Sequence, residues 1–232
     1  MKNTGIVIKS IDYKENSKIV YLYTNDGIKS IRAIGAKNPK KGLLGFTITG
    51  SIVSFITTDT SFPSLLEYNT ELSLFEITNS IIKINTLNTI IDIINNLNDD
   101  ANHKAIYPFL VNIINELKNT NNPKKLLCVF LVKMLYSLGV APNLKSCIYC
   151  NNTLNLLFDI EKGGAVCRSC NPLAKNNFSI WNEYYYKKDI IDNYSDYNYD
   201  ELLSELKEYY YIHTGILIKS IWQYLKIILK YC

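Results

Sequence analysis

No run of apolar residues ending in a small-residue cleavage site opens the sequence. Met1-Lys2-Asn3-Thr4-Gly5 leads straight into a strand-like segment, so secretion is not expected. The most apolar late stretch, Ile212 to Leu229, is interrupted by His213, Lys219, Gln223 and Lys226 and falls short of a membrane span. A cytoplasmic protein without membrane attachment is expected. The phosphate-cradling G-x4-G-K-[ST] pattern and the metalloprotease pattern H-E-x-x-H are both missing. The two histidines, His103 and His213, flank no nucleophile. Nothing points to an enzyme, and no internal repeat is present.

What is there suffices for a core. A chain of 232 residues with 47% hydrophobic content folds without disulfides, as one large domain or two small ones in close association. The net charge of +4 is unevenly spread. Residues 1 to 58 hold nine lysines and arginines against Asp12, Glu15 and Asp26, a net of +6, which leaves −2 for the rest. Such asymmetry suggests that the N-terminal part faces a polyanion, although a chain rich in Asn, Ile and Lys throughout can carry it through composition alone.

The first seventy residues read as five short strands: Gly5 to Ile11, Lys18 to Thr24, Ile28 to Ile34, Thr47 to Ile56, and Ser64 to Tyr68. Asn25-Asp26-Gly27 makes a hairpin turn between the second and third. With no helical pattern between them, five strands suit a small closed barrel better than a parallel sheet. Ala36 to Gly45, with Lys37, Lys40 and Lys41, reads as an exposed basic loop. From Leu72 the spacing turns helical, through Ile81, Ile84, Leu87, Ile90, Ile91 and Ile94. Helices are expected at Ile106 to Leu117, at Pro123 to Leu138 with Gly139 closing it, at Asn177 to Tyr186, and at Asp200 to Tyr231. The fold class is therefore α+β, with a β-barrel domain over 1–71 and a helical domain over 72–232.

Cys147-x2-Cys150 and Cys167-x2-Cys170, sixteen residues apart, have the spacing of a four-cysteine zinc site. Two residues between cysteines let a tight turn bring both thiolates to one side of a tetrahedral ion. Four thiolates leave no open position for substrate, so the expected role is structural. Gly163-Gly164 fits a hairpin between the two knuckles. A thioredoxin-like redox pair is the competing reading, but that motif stands once, after a strand and at a helix start. Cys128, within Leu126-Leu127-Cys128-Val129-Phe130, reads as a small core residue.

Phe130-Leu131-Val132-Lys133-Met134-Leu135, then Leu138-Gly139-Val140-Ala141-Pro142-Asn143-Leu144, then Cys147-Ile148-Tyr149-Cys150, resembles the middle of the RecO family of bacterial recombination mediators. Phe158-Asp159 with Gly163-Gly164-Ala165-Val166-Cys167-Arg168-Ser169-Cys170 is similar to that family's second cysteine pair. Gly5 to Ser10, Ser17 to Val20 and Ala33-Ile34-Gly35-Ala36-Lys37 resemble its opening, and Leu217 to Ile221 its closing helix. Departures exist: Val140 stands where relatives carry an aromatic residue, Leu131 where an acidic one is common, and lysines replace the arginines of the basic loop. Lysine does not make arginine's bidentate phosphate fork.

The resemblance implies an N-terminal five-stranded OB-fold barrel, a helical body and a zinc module at 147–170 holding one structural Zn2+ ion. It implies a non-catalytic mediator of DNA repair in the cytoplasm, at the nucleoid. Such a protein binds single- and double-stranded DNA, anneals strands, and with RecR helps RecA load where single-strand-binding protein (SSB) coats the DNA. For DNA contact the expected residues are Lys14, Lys18, Lys29, Arg32, Lys37, Lys40 and Lys41, with Tyr13, Tyr21, Tyr23 and Phe46 as possible stacking platforms or ordinary barrel core. Lys133 is the expected basic rim for the acidic, hydrophobic SSB tail, unless it is simply a surface lysine. The alternatives are a zinc-ribbon and OB-fold RNA-binding or transcription-associated protein, or a scaffold whose basic loop is incidental.

Overall fold

The structure, a computed structural model, describes residues 3–72, 77–187, 194–195 and 197–221. The chain forms two compact units, one of Met1–Leu87 with Ile93–Asn119, the other of Asn88–Asp92 with Thr120–Cys232.

Five strands build the first unit: β1 (Asn3–Tyr13), β2 (Ser17–Thr24), β3 (Gly27–Ala33), β4 (Ile52–Thr57) and β5 (Leu65–Leu72). They form one antiparallel sheet in the order β3-β2-β1-β4-β5. A parallel bridge between Arg32 and Ser64 joins β3 to the chain entering β5, so the sheet curls almost shut. A short helix, α1 (Leu44–Thr47), lies between β3 and β4. This strand order, with the β3-to-β5 closure and the intervening helix, is the OB-fold arrangement.

Alternation along the strands fills the barrel. Val7, Val20, Leu22, Ile31, Ala33, Val53 and Phe55 share its core with Phe46 of α1. A β-bulge between Val7 and Lys9 shifts the pairing of β1 with β2. Beyond it Lys9, Ile11 and Tyr13 face outward while Ser10 and Asp12 face the barrel interior and its rim. The expected fourth strand began at Thr47; the structure places Leu44–Thr47 in α1 and starts β4 at Ile52. The apolar run 43–56 thus supplies first a helical plug and then a strand, which periodicity over so short a stretch does not separate.

Two helices follow, α2 (Ile81–Ile94) and α3 (His103–Asn119). Within the first unit α3 packs on the barrel. The Tyr23 hydroxyl meets His103 Nδ1 at 2.9 Å, and its ring lies 5.5 Å from the His103 ring and 6.4 Å from that of Tyr107.

The second unit centres on α4 (Pro123–Ser137), which the Asn122 side chain caps by accepting from the Lys125 N–H. Leu126 to Val132 are buried without a break, because α5 (Phe178–Tyr186) and α6 (Tyr199–Thr214) both pack on α4. The sequence suggests one helix from Asp200 to Tyr231. Instead α6 ends at Gly215, whose φ of +71° closes the last turn; residues beyond 221 lie outside the described part. A two-stranded hairpin, β6 (Leu156–Asp159) and β7 (Gly164–Cys167), carries the cysteines.

A buried carboxylate joins this hairpin's surroundings to the helices. Glu205 accepts from Trp181 Nε1 at 2.6 Å and from Asn176 Nδ2 at 2.8 Å. Burial raises its pKa, and these two hydrogen bonds only partly oppose the rise. Because the folded-state value is raised, the carboxyl's contribution to stability is full below its unfolded value and is lost as pH rises through the folded one. Glu205→Ala leaves the buried Trp181 N–H without an acceptor and is expected to cost about 2–3 kcal/mol, measurable by urea unfolding. In Glu205→Gln the fall in stability above the ordinary glutamate range should flatten.

Candidate metal centre and nucleic-acid interface

The sulfur atoms of Cys147, Cys150, Cys167 and Cys170 all lie within 4.8 Å of one another. Backbone geometry brings them there. In the first knuckle the Asn151 N–H donates to the Cys147 carbonyl at 2.9 Å, and Asn151 takes a φ of 59°. In the second, the Cys170 and Asn171 N–H groups both donate to the Cys167 carbonyl at 3.0 Å. The knuckles meet because the Ile148 N–H reaches the Ala165 carbonyl at 2.9 Å. At this contact a Cβ on Gly164 would lie 2.8 Å from Ile148 Cγ2. Only glycine allows so close an approach.

The donor set suits a tetrahedral metal. Cys150 and Cys167 sulfurs are 3.6 Å apart, near the roughly 3.8 Å expected between thiolates about 2.3 Å from one zinc ion. Burial raises the Cys147 thiol, but the N–H groups of Cys167, Tyr149 and Cys150 outweigh it and hold the thiol at about 6. Cys170, facing the sulfurs of Cys150 and Cys167, is pushed up to about 12. Four thiolates at this spacing repel one another unless a cation stands between them. Cys147 and Cys167 are buried, whereas Cys150 and Cys170 are exposed. Cys128 is buried in α4, apart from this cluster.

An aromatic column fastens the module to its helices. Phe158 of β6 stacks on Trp181 of α5 at 4.1 Å, Trp181 lies 5.3 Å from Tyr209 of α6, and Tyr209 lies 4.2 Å from His213. His213 Nε2 is 2.7 Å from the Ile160 carbonyl, and the Tyr209 hydroxyl donates to the Val140 carbonyl at 2.8 Å.

The basic residues of the barrel divide into groups. At the β1–β2 turn, Lys37 Nζ lies 3.0 Å and Lys18 Nζ 3.8 Å from the Asp12 carboxylate, and Lys37 also donates to the Lys14 carbonyl at 3.3 Å. Lys40 and Lys41 sit exposed beside this cluster's loop on a single 3-10 turn (Pro39–Lys41), capped by the Asn38 side chain. Surface ion pairs of this kind are weak, so Asp12 holds Lys18 and Lys37 only loosely. Lys29 stands near the β2–β3 turn at the other end of β3, paired with Asp26 at 3.0 Å. Its hydrogen bond to Asp26 holds that carboxyl below its ordinary range.

Arg32 is already engaged. Its Nη2 donates to the Phe62 carbonyl at 3.1 Å, its guanidinium lies 4.8 Å over the Phe62 ring, and its main chain pairs with the loop before β5. Of the four aromatic residues, Tyr23 and Phe46 are buried, while Tyr13 and Tyr21 remain partly open on the outer face. Lys133 on α4 donates to the carbonyls of Tyr185, at 2.7 Å, and Lys187, so its ammonium satisfies the C-terminal end of α5. Burial lowers its pKa.

Two profiles of known families cover most of the sequence: recombination protein O, N terminal, over residues 1–70, and recombination protein O, C terminal, over residues 80–199. The chain belongs to the RecO family. Among curated RecO relatives, the DNA repair protein RecO of Halalkalibacterium halodurans is 29% identical over 174 residues, spanning 73% of this chain and 68% of the relative. That of Acetivibrio thermocellus is 26% identical over 176 residues, 73% and 70% respectively, and that of Shouchella clausii 27% over 186 residues, 77% and 72%. RecO membership places the chain in DNA repair and recombination. No described helix is long and apolar enough to cross a membrane.

Three features of this RecO-family chain were not anticipated from sequence. Phe62 gave no signal because it lies in a loop and meets Arg32 thirty residues away. Lys9 joins the outer face only because of the bulge at Val7. Glu205 is the one carboxylate of α6 that turns inward, and a period of 3.6 over a helix with Glu201 and Glu208 does not single it out.

Proposed function

We propose that this RecO-family chain is a non-catalytic DNA-binding mediator. It holds the phosphates of single- and double-stranded DNA at the lysine-rich end of its barrel and anneals complementary strands. With RecR, it helps RecA replace SSB on single strands in the cytoplasm, at the nucleoid. The observation that carries this reading is the convergence of Lys14, Lys18, Lys37, Lys40 and Lys41 around one barrel end in a chain of this family. Sequence-independent contacts to phosphate suit a protein that must act on any strand.

The division 1–71 and 72–232 then separates a DNA-binding barrel from a helical body with a module at 147–170. One zinc ion bound by Cys147, Cys150, Cys167 and Cys170 would tie the two knuckles together and hold the hairpin against α5 and α6. For the SSB tail the contact is Lys133, whose ammonium would exchange the Tyr185 and Lys187 carbonyls for a peptide carboxylate, with the exposed Tyr136 and Tyr186 as apolar surface. An ammonium with an apolar rim matches an acidic, hydrophobic peptide.

The direct test is annealing of complementary strands coated with SSB, with and without RecR. Faster annealing than the coated strands show alone supports the reading. Absence of annealing, together with equal affinity for single-stranded DNA and RNA, moves the assignment to an RNA-binding protein.

A further inference from the structure

The sign of the charge reverses along the barrel. After Lys41 no lysine or arginine occurs until Lys83, whereas Asp59, Glu67, Glu71 and Glu76 all fall in between. The strands β4 and β5, which this stretch supplies, stand at one end of the sheet order, and the lysine cluster sits at the β1–β2 turn. A polyanion is repelled from the β4–β5 side and a cation is drawn to it.

A hollow of about 230 Å³ opens there, lined by Ser54, Phe55 and Ile56 of β4 and by Glu67, Tyr68 and Asn69 of β5. Val53 and Phe55 belong to the barrel core, so Ser54 and Ile56 turn to the opposite side of β4, where the ladder sets Asn69 beside Ser54 and Glu67 beside Ile56. The register then shifts, Thr57 opposing Leu65, and this bulge bends β5 beside the hollow.

Its polar atoms are acceptors that lack donors. Ser54 is 1% exposed, and its hydroxyl has no hydrogen-bond partner. An unpaired buried hydroxyl costs stability, so a strand that keeps one in a hollow, where alanine would serve, points to a ligand. Asn69 gives an amide N–H to Glu71 at 3.5 Å and keeps its oxygen. Glu67 is exposed and, among the described residues, in no ion pair.

We infer that this hollow is a socket for the arginine side chain of a protein partner, with Glu67 as its counter-ion and Ser54 and Asn69 as further acceptors. A volume below the roughly 300–1,000 Å³ of small-molecule sites suits the end of one side chain. Acceptors spread over two strands call for a planar fork of N–H donors. Guanidinium, less tightly hydrated than ammonium, also leaves water more readily for a wall that includes Ile56. The socket and the lysine cluster use different strands, so one chain can hold DNA and the partner together. The inference goes beyond the DNA-binding reading and does not depend on it.

The test titrates the isotope-labelled full chain with N-acetyl-arginine amide and follows the backbone NMR signals of Ser54, Glu67 and Asn69. Saturable shifts are expected with this probe, at least about fivefold weaker binding with the capped lysine, and none with the capped citrulline, which keeps the shape without the charge. Glu67→Gln should weaken the arginine probe about three- to tenfold. Ser54→Ala should weaken it about threefold with no loss of thermal stability, because no bond of the free chain is broken. Shifts that never saturate, an equal response to lysine or citrulline, or an unaltered affinity in Glu67→Gln overturn the socket. Should Ser54→Ala unfold, Glu67→Gln, at an exposed strand position, decides the case.

Discussion

Cys147→Ser is expected to abolish metal retention and to cost the second unit more than about 4 kcal/mol, because the loss of one ligand releases both knuckles at once. Cys147 is the ligand to choose. It is buried, and its knuckle carries the backbone bonds to Asn152 and Ala165 on which the hairpin is built. Metal analysis of the purified chain should give one zinc ion, and the variant none. Hydrogen exchange should then rise across residues 143–176, and Trp181 should report a more polar setting as Phe158 leaves its ring. Acid should mimic the substitution, since protons compete with the metal for all four thiolates. A Cys147→Ser chain that keeps full protection without metal would show that the aromatic column alone holds the module.

The second large effect concerns the barrel. Replacing Lys14, Lys37, Lys40 and Lys41 together by alanine is expected to weaken single-stranded DNA binding about a hundredfold near physiological salt, if each neutralises one phosphate. Stability should hardly change. Lys40 and Lys41 are exposed on a one-turn loop capped by Asn38, and Lys37 bonds Asp12 and a main-chain carbonyl on the surface. Surface ion pairs of this kind contribute at most about 1 kcal/mol each. The same variant should lose duplex binding in proportion, since phosphates are met in either form.

Much of this was legible in the sequence where local pattern and local structure coincide. The five strands, the Asn25-Asp26-Gly27 hairpin and the helices α2 to α5 follow from periodicity and turn residues, with ends displaced by a few positions. The cysteine spacing carried the knuckles, and Gly163-Gly164 the turn between β6 and β7. The rest depended on contacts far apart in the chain. Tyr21 and Tyr23 share the face of β2 opposite Val20 and Leu22, and they differ because α3, eighty residues on, covers Tyr23 and takes its hydroxyl at His103. Arg32 reads as a free cation until the loop before β5 folds over it. Lys133 reads as a free surface charge until α5 delivers two carbonyls to it. Each of these residues has an ordinary local pattern, and its role is decided by a partner from another element.

The central claim, that the lysine end of the barrel binds DNA through phosphates, is tested most directly by the salt dependence of oligo-dT affinity, measured side by side for the unaltered chain and the Lys14/Lys37/Lys40/Lys41 variant. For single strands each neutralised phosphate contributes a log-log slope of about −0.7. The unaltered chain should therefore bind with a steep negative slope, and the variant's slope should be shallower by about 3. Equal slopes for the two proteins, or an affinity indifferent to salt, would contradict the claim.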